Sequence, residues 1–289
     1  MDPVTQTPFT TRDGHNLAVL DWPLWASRRP RGIVLVVHGL GEHAWRYNEL
    51  ATELNAWGFA VRAYDQRGHG DSSGKPGCLP QDDTLLRDLS EVLDDTRTSH
   101  CRHGRVPLIL LGHSMGGLVA ALHVAHQRAA HNTVPVDALV LSSPAFDPGL
   151  GVLQRALLAL LPPVLPDITV SNGLDPRLIS HNPDVVRAYV DDPRVHNRIS
   201  PRLGRFIADG GPQVLRQAAH WMVPTLLMYA GADGLVNPDG SRRFAAAAPT
   251  GVVRARCFED MYHELFNEAN RFEVLSHLRD WLNERFERF

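Results

Sequence analysis

The apolar run Val106-Pro107-Leu108-Ile109-Leu110-Leu111 leads directly into Gly112-His113-Ser114-Met115-Gly116, and this junction constrains the fold more than any other part of the chain. A run of that kind reads as a buried strand, and Gly117-Leu118-Val119-Ala120-Ala121-Leu122-His123-Val124-Ala125 behind it reads as a helix. Strand, G-x-S-x-G and helix in that order form the sharp turn known as a nucleophile elbow. Its serine takes a strained backbone conformation. Gly112 and Gly116 are needed because a side chain at either would collide with the adjoining strand or helix. The turn lifts the Ser114 hydroxyl to a helix N-terminus, where N–H groups and the dipole favour developing negative charge.

A serine hydroxyl is a poor nucleophile on its own, so this chemistry needs a base within hydrogen-bond reach and a carboxylate to orient that base. In such an architecture they follow in the order Ser, Asp or Glu, His, each on a loop just past a strand. Pro224-Thr225-Leu226-Leu227-Met228-Tyr229-Ala230 reads as a strand with Gly231-Ala232-Asp233-Gly234 as the turn after it. Val252-Val253-Arg254-Ala255-Arg256-Cys257-Phe258 reads as the last strand, followed by Glu259-Asp260-Met261-Tyr262-His263. Position therefore selects Asp233 and His263, the latter from fifteen histidines. His113 adjoins Ser114, but consecutive strand residues face opposite ways, so it is expected to pack into the scaffold. Asp239 follows Pro238 and reads as a helix cap. Asp260 lies too close to His263 in sequence to be the expected acid.

A tetrahedral intermediate also needs donors for its oxyanion. The Met115 N–H, directly after the nucleophile, supplies one, and the loop after the strand Gly32-Ile33-Val34-Leu35-Val36-Val37 should supply the other. That loop is His38-Gly39-Leu40-Gly41-Glu42-His43, whose glycines let main chain approach closely, so the Leu40 N–H is the second expected donor. The histidines of this loop are not read as a zinc site, because they lie on a bent loop and no H-E-x-x-H occurs.

Together with Asp65-Gln66-Arg67-Gly68-His69-Gly70-Asp71-Ser72, Ala232-Asp233 and Tyr262-His263-Glu264, these motifs resemble the monoacylglycerol lipase and lysophospholipase branch of the α/β-hydrolases. The similarity runs from the third strand to the final helix. It implies an α/β-hydrolase fold, a mostly parallel central sheet flanked by helices with an inserted helical cap. The activity it implies is that of a serine hydrolase cleaving single-chain acyl glycerol esters to fatty acid and glycerol. Lysophospholipase or general carboxylesterase activity is the alternative, with a peptidase or carbon–carbon hydrolase on the same fold a further one. Glu42 and Arg46 match positions that help hold the glycerol end of the substrate. Some members carry a further histidine three residues beyond the catalytic one, where this chain has Phe266. The Gly68-His69-Gly70-Asp71-Ser72 stretch reads as a structural turn, since no phosphate-loop pattern follows it.

Strands and helices alternate from strand 33–37 through helix 45–57, strand 59–64, helix 84–99, strand 106–111, helix 115–129 and strand 137–143, after a hairpin around Arg12-Asp13-Gly14-His15. Between residues about 146 and 220 the alternation stops, and the stretch is too long for a simple crossover. We read a single domain with core 1–145 and 221–289 and the cap between. Within the cap, the helix Gly151–Leu161 is apolar nearly all round, and its surplus apolar face is expected to line an acyl channel or touch a lipid surface.

A net charge of -3 leaves no basic footprint for nucleic acid. The expected partner is a small lipid-like ester, with transient membrane or micelle contact through the cap, and neither metal nor organic cofactor is called for. Cys78, Cys101 and Cys257 are odd in number and far apart, which suggests free thiols in a reducing compartment. Met1-Asp2-Pro3-Val4-Thr5-Gln6 lacks the pattern of a signal peptide and no apolar run reaches the length of a spanning helix, so a cytoplasmic location is expected.

Overall fold

The computed structural model describes residues 4–24, 29–100, 106–127, 134–162 and 164–286; Cys101 lies outside them. Strands β1 (Thr5–Thr10) and β2 (Asn16–Trp22) form the expected antiparallel hairpin. Then follow β3 (Ile33–Val37), α1 (Asn48–Ala56), β4 (Ala60–Tyr64), α2 (Thr84–His100), β5 (Leu108–His113), α3 (Ser114–His126) and β6 (Ala138–Ser142). After an insertion come β9 (Thr225–Ala230), α7 (Asp239–Ala247), β10 (Val253–Phe258) and α8 (Arg271–Arg285). The eight strands of the main sheet run β1-β2-β4-β3-β5-β6-β9-β10, parallel from β4 to β10. Only the hairpin joins antiparallel, through β2 to β4.

The apolar strands read as continuous runs because both sheet faces are covered. Side chains alternate between the two faces along each strand. Leu35, Leu108 and Leu110 join a core cluster with Leu118 and Val119 of α3, while Val34, Val36, Ile109 and Leu111 pack with Trp281 and Leu282 of α8. Burial on both faces fixes the register of the central strands, and that register brings their carboxyl ends to one edge.

Two boundaries differ from expectation in an informative way. The helix expected from residue 45 begins as a tight turn over Ala44–Tyr47 before α1. The strand expected to end at Leu111 runs on to His113, so α3 starts at Ser114 itself and no loop residue separates strand from helix.

The insertion between β6 and β9 holds α4 (Val152–Leu160), a two-residue ladder of β7 (Val170–Ser171) with β8 (Arg198–Ile199), α5 (Pro183–Asp191) and α6 (Pro201–Gln217). Its last helix returns to the core. Cβ atoms placed at Gly210 would lie 3.0 Å from Leu118, and at Gly211 1.9 Å from the Phe146 carbonyl, so glycine is what lets α6 lie against α3 and the main chain. On α4, Leu158 turns toward α6, 2.8 Å from where a Cβ on Gly204 would stand, while Leu157 and Leu160 face outward. Cys78 and Cys257 are free thiols. Among the described residues no helix is long and apolar enough to cross a membrane.

Candidate active site

Ser114 sits at the β5–α3 junction with φ at 53°, in the left-handed region that a side chain normally avoids. The turn is packed tightly on both sides. A Cβ on Gly116 would stand 2.2 Å from the Val37 carbonyl oxygen, and one on Gly112 would stand 2.5 Å from that of Gly116. The Ser114 carbonyl in turn accepts the Ala145 N–H at 3.0 Å, just past β6. Among the described residues, Ser143, directly before that turn, is the other non-glycine residue with positive φ, at 40°.

The structure brings Ser114, His263 and Asp233 into one line. His263 Nε2 is 2.8 Å from Ser114 Oγ, and its Nδ1 is 2.7 Å from Asp233 Oδ2. Asp233 Oδ1 accepts the Leu235 and Val236 N–H groups, each at 2.9 Å, so the carboxylate cannot rotate away from the ring. Burial disfavours charge on Asp233, but the His263 ring and these hydrogen bonds hold its pKa below the ordinary value. Burial likewise works against protonated His263, yet the Asp233 charge and hydrogen bond outweigh it and raise the pKa. Serine, base and orienting acid in this geometry can carry out nucleophilic acyl transfer.

The loop after β3 reaches the nucleophile. A Cβ on Gly39 would lie 3.1 Å from that of Ser114 and 3.0 Å from Glu42 Oε1. Gly39 is held at both its polar groups: its N–H donates to Glu42 Oε1 at 2.6 Å, and its carbonyl lies 2.7 Å from His38 Nδ1. Since His38 Nε2 accepts the Gln66 N–H at 2.8 Å, Nδ1 carries the proton and donates to that carbonyl. A peptide unit is planar and trans, so pinning the Gly39 oxygen aims the Leu40 N–H the opposite way. Met115 lies in the first turn of α3, where backbone N–H groups have no partner within the helix.

Glu42 and Arg46 are turned inward. Glu42 also accepts from Tyr47 Oη at 2.8 Å and from Arg46 Nη1 at 2.7 Å. Arg46 grips Glu264 through Nη1 and Nη2, at 2.6 and 2.7 Å, beneath the Tyr189 ring. Burial opposes the Glu42 charge, but the Arg46 guanidinium beside it brings the pKa down to about 2.

The other candidates fall outside the line. Asp260 is exposed. Asp239 occupies the first turn of α7 and pairs with Arg242, while Asn237 accepts the Asp239 N–H, so the capping expected of Asp239 falls to Asn237. His113 is buried and hydrogen-bonded to Ser142, yet its ring centroid also lies 4.7 Å from that of His263. It is scaffold that touches the base, an outcome that strand alternation alone did not foresee. Just before the Gly68–Ser72 stretch, Asp65 accepts the Ala44 and Asp71 N–H groups, and Arg67 pairs with Asp13 and Asp88. The sequence reading also missed Glu264 as a partner of Arg46. A carboxylate adjoining His263, opposite an arginine four residues from a glutamate, was the available signal.

The insertion reaches this edge of the sheet. The Ile179 carbonyl accepts the Glu264 N–H at 2.8 Å, and the Gly41 carbonyl accepts the His196 N–H at 2.9 Å. His43 pairs with Asp192 at 2.9 Å. A cleft of about 390 Å³ opens among Leu174, Ile179, Tyr189, Val195 and Leu235 together with the polar Asn172, His196, Asn197 and Arg198, and Leu235 is the residue whose N–H fixes Asp233. A second depression, about 490 Å³, is lined by Arg12, Asp13, Asp88 and Glu91 and shares no residue with the Ser114 line.

Residues 28–270 match the sequence model of the family described as Hydrolase_4: Serine aminopeptidase, S33. The chain is 33% identical to the monoacylglycerol lipase of Mycolicibacterium smegmatis, over 94% of this chain and 98% of that one. An uncharacterized abhydrolase domain-containing protein of Dictyostelium discoideum is also 33% identical over 96% of this chain, which spans only 29% of that longer protein. The crystal structure of the Paleococcus ferrophilus monoacylglycerol lipase superposes with a TM-score of 0.79 at 32% identity, covering 97% of this chain and 98% of that one.

Proposed function

Because the chain belongs to the α/β-hydrolase family described as Serine aminopeptidase, S33, we propose that it is a monoacylglycerol lipase-like serine hydrolase. Its reaction is cleavage of single-chain acyl glycerol esters to fatty acid and glycerol. The observation that carries this reading is the hydrogen-bonded line from Asp233 through His263 to a strained Ser114. The choice of an ester over a peptide rests on relatives named monoacylglycerol lipase that match nearly end to end.

In this reading Ser114 Oγ attacks the ester carbonyl while His263 Nε2 takes its proton, and Asp233 stabilises the resulting imidazolium through Nδ1–H. The Leu40 and Met115 N–H groups hold the oxyanion. His263 returns the proton to the departing glycerol oxygen. Water, deprotonated by the same ring, then attacks the acyl-enzyme and releases the fatty acid.

The stretch of the 146–220 insertion that precedes α6 serves as the cap, and its cleft takes the acyl chain. Leu160 and Val164 are 71% and 73% exposed, with Leu157, Leu165 and Ile168 nearby, which supports transient contact with a membrane or micelle surface. Free Cys78 and Cys257 support a reducing, cytoplasmic location.

The test is a substrate panel of monoacylglycerols, lysophospholipids, nitrophenyl esters and peptide amides, with Ser114→Ala as control. Each methylene buried in the cleft adds about 0.8 kcal/mol, so kcat/KM should climb about fourfold per methylene until the cleft is full. Faster turnover of peptide amides than of any ester would overturn the reading.

A further inference from the structure

We propose that Glu42, Arg46 and Glu264 form a brace that locks the oxyanion-forming peptide and the loop of the catalytic histidine into one rigid unit. This is a positioning role, and it rests on the triad reading above.

Glu42 takes the Gly39 N–H on one oxygen and Arg46 on the other. Its hold on Gly39 complements that of His38 on the Gly39 carbonyl, and the two together fix the plane from which the Leu40 N–H projects. At the other end, Glu264 directly follows His263 and is gripped by Arg46 Nη1 and Nη2. Its backbone N–H is bonded to Ile179, and its Oε2 also accepts from Asn267 Nδ2 at 2.8 Å. Arg46 thus joins two segments that are 218 residues apart in sequence. A bidentate arginine–carboxylate pair has fixed geometry, which suits it to setting the distance between an oxyanion donor and a base.

Space argues the same way. A void of about 10 Å³, at the limit for a single water, touches Arg46, Tyr47 and Glu264, so the packing there leaves these groups little room to shift. Tyr189 covers the guanidinium with its ring 4.8 Å away, and Tyr47 occupies a further site on Glu42. The carboxylates therefore point into the protein and are already engaged.

The experiment compares Glu42→Ala, Glu42→Gln and Glu264→Gln on a monoacylglycerol and a nitrophenyl ester with the same acyl chain. It measures kcat and KM separately, affinity for a trifluoromethyl ketone bearing that chain, and thermal unfolding. Losing control of one oxyanion donor should lower kcat about a hundredfold in Glu42→Ala, equally on both esters, with KM little changed. Glu42→Gln keeps an oxygen for Gly39 and should lose only about tenfold, as should Glu264→Gln. Affinity for the ketone, whose adduct carries the oxyanion, should fall in parallel with kcat/KM. A raised KM confined to the monoacylglycerol, with kcat unchanged, would overturn the brace in favour of alcohol binding, and unchanged ketone affinity would overturn it outright. Should Glu42→Ala fail to fold, the two glutamine variants decide, and kcat losses that merely track their unfolded fraction would count against the brace. Inert wild-type protein would overturn both the hydrolase reading and the brace, whereas active wild type with unaffected variants would overturn the brace alone.

Discussion

The His113 imidazole lies 4.7 Å from that of His263, tilted by 55°, and the two rings are driven in opposite directions. Burial first, and then the neighbouring His263, push the His113 pKa down to about 4. His263 has the same burial but faces Asp233, and its pKa is raised. One ring is thereby kept neutral as packing, while the other can carry a proton during turnover.

The first prediction follows for the pH profile. The base must be neutral to accept the Ser114 proton, so kcat/KM should rise with pH through an apparent pKa above the ordinary histidine value of about 6.5. Asp233→Asn removes the charge that raises it, and the midpoint should move to lower pH in that variant. A midpoint unmoved by Asp233→Asn would show that the acid does not set the ring's basicity.

The triad itself predicts strong non-additivity. Ser114→Ala, His263→Ala and Asp233→Asn should each lower kcat by about a thousandfold or more with the fold intact, and Ser114→Ala/His263→Ala should be little worse than either alone. Circular dichroism and single-turnover kinetics check both halves. An Asp233→Asn variant retaining more than about a tenth of wild-type kcat would relocate the acid.

Acid stability should report on His113. Its folded pKa is depressed to about 4, while the unfolded chain binds that proton near 6.5, so between these values the unfolded state holds more protons. Stability is therefore present above about pH 6.5 and falls as pH drops toward 4, by up to about 3 kcal/mol from this residue. His43 and His69 are lowered too, mainly by burial, and add in the same direction. His263 runs the other way: its contribution is full below about 6.5 and is lost as pH rises through its folded value. Urea unfolding at about pH 7 and about pH 4.5 should show a smaller acid loss for His113→Phe than for wild type. Equal losses in the two proteins would remove His113 from the account.

The outer face of the insertion makes a separable prediction. Leu157→Asp and Leu160→Asp change outward side chains, so turnover of a soluble acetate ester and thermal stability should stay close to wild type. Turnover of monoacylglycerol presented in vesicles should fall, because the apolar contact with lipid is lost. Leu158→Asp is different. Leu158 is half-buried and packs toward Gly204, so a charge wedged there should destabilise the protein and depress all substrates alike. If vesicle and soluble substrates suffer equally in Leu160→Asp, the lipid-contact reading fails.

What could be read from the chain was what consecutive residues specify among themselves. The elbow is a strand, a turn and a helix in one unbroken stretch, and Gly112 and Gly116 advertise the close approaches that the structure contains. The positions of Asp233 and His263 follow because each loop comes directly after a strand: Asp233 after the fully buried β9, and His263 after the edge strand β10, which pairs in parallel register with β9. By contrast, the engagement of Arg46 by Glu264, the contact of His113 with His263 and the holding of Gly39 by Glu42 and His38 depend on which loops meet at the carboxyl edge of the sheet. The outward turn of Leu157 and Leu160, on a helix apolar on most sides, depends likewise on how α4 rotates against α6. Local pattern determines where a strand ends and which residue stands there. The direction in which a buried polar or apolar group then points is decided by the partners that tertiary packing delivers, since an unpaired charge or an unfilled space in the interior costs too much to persist.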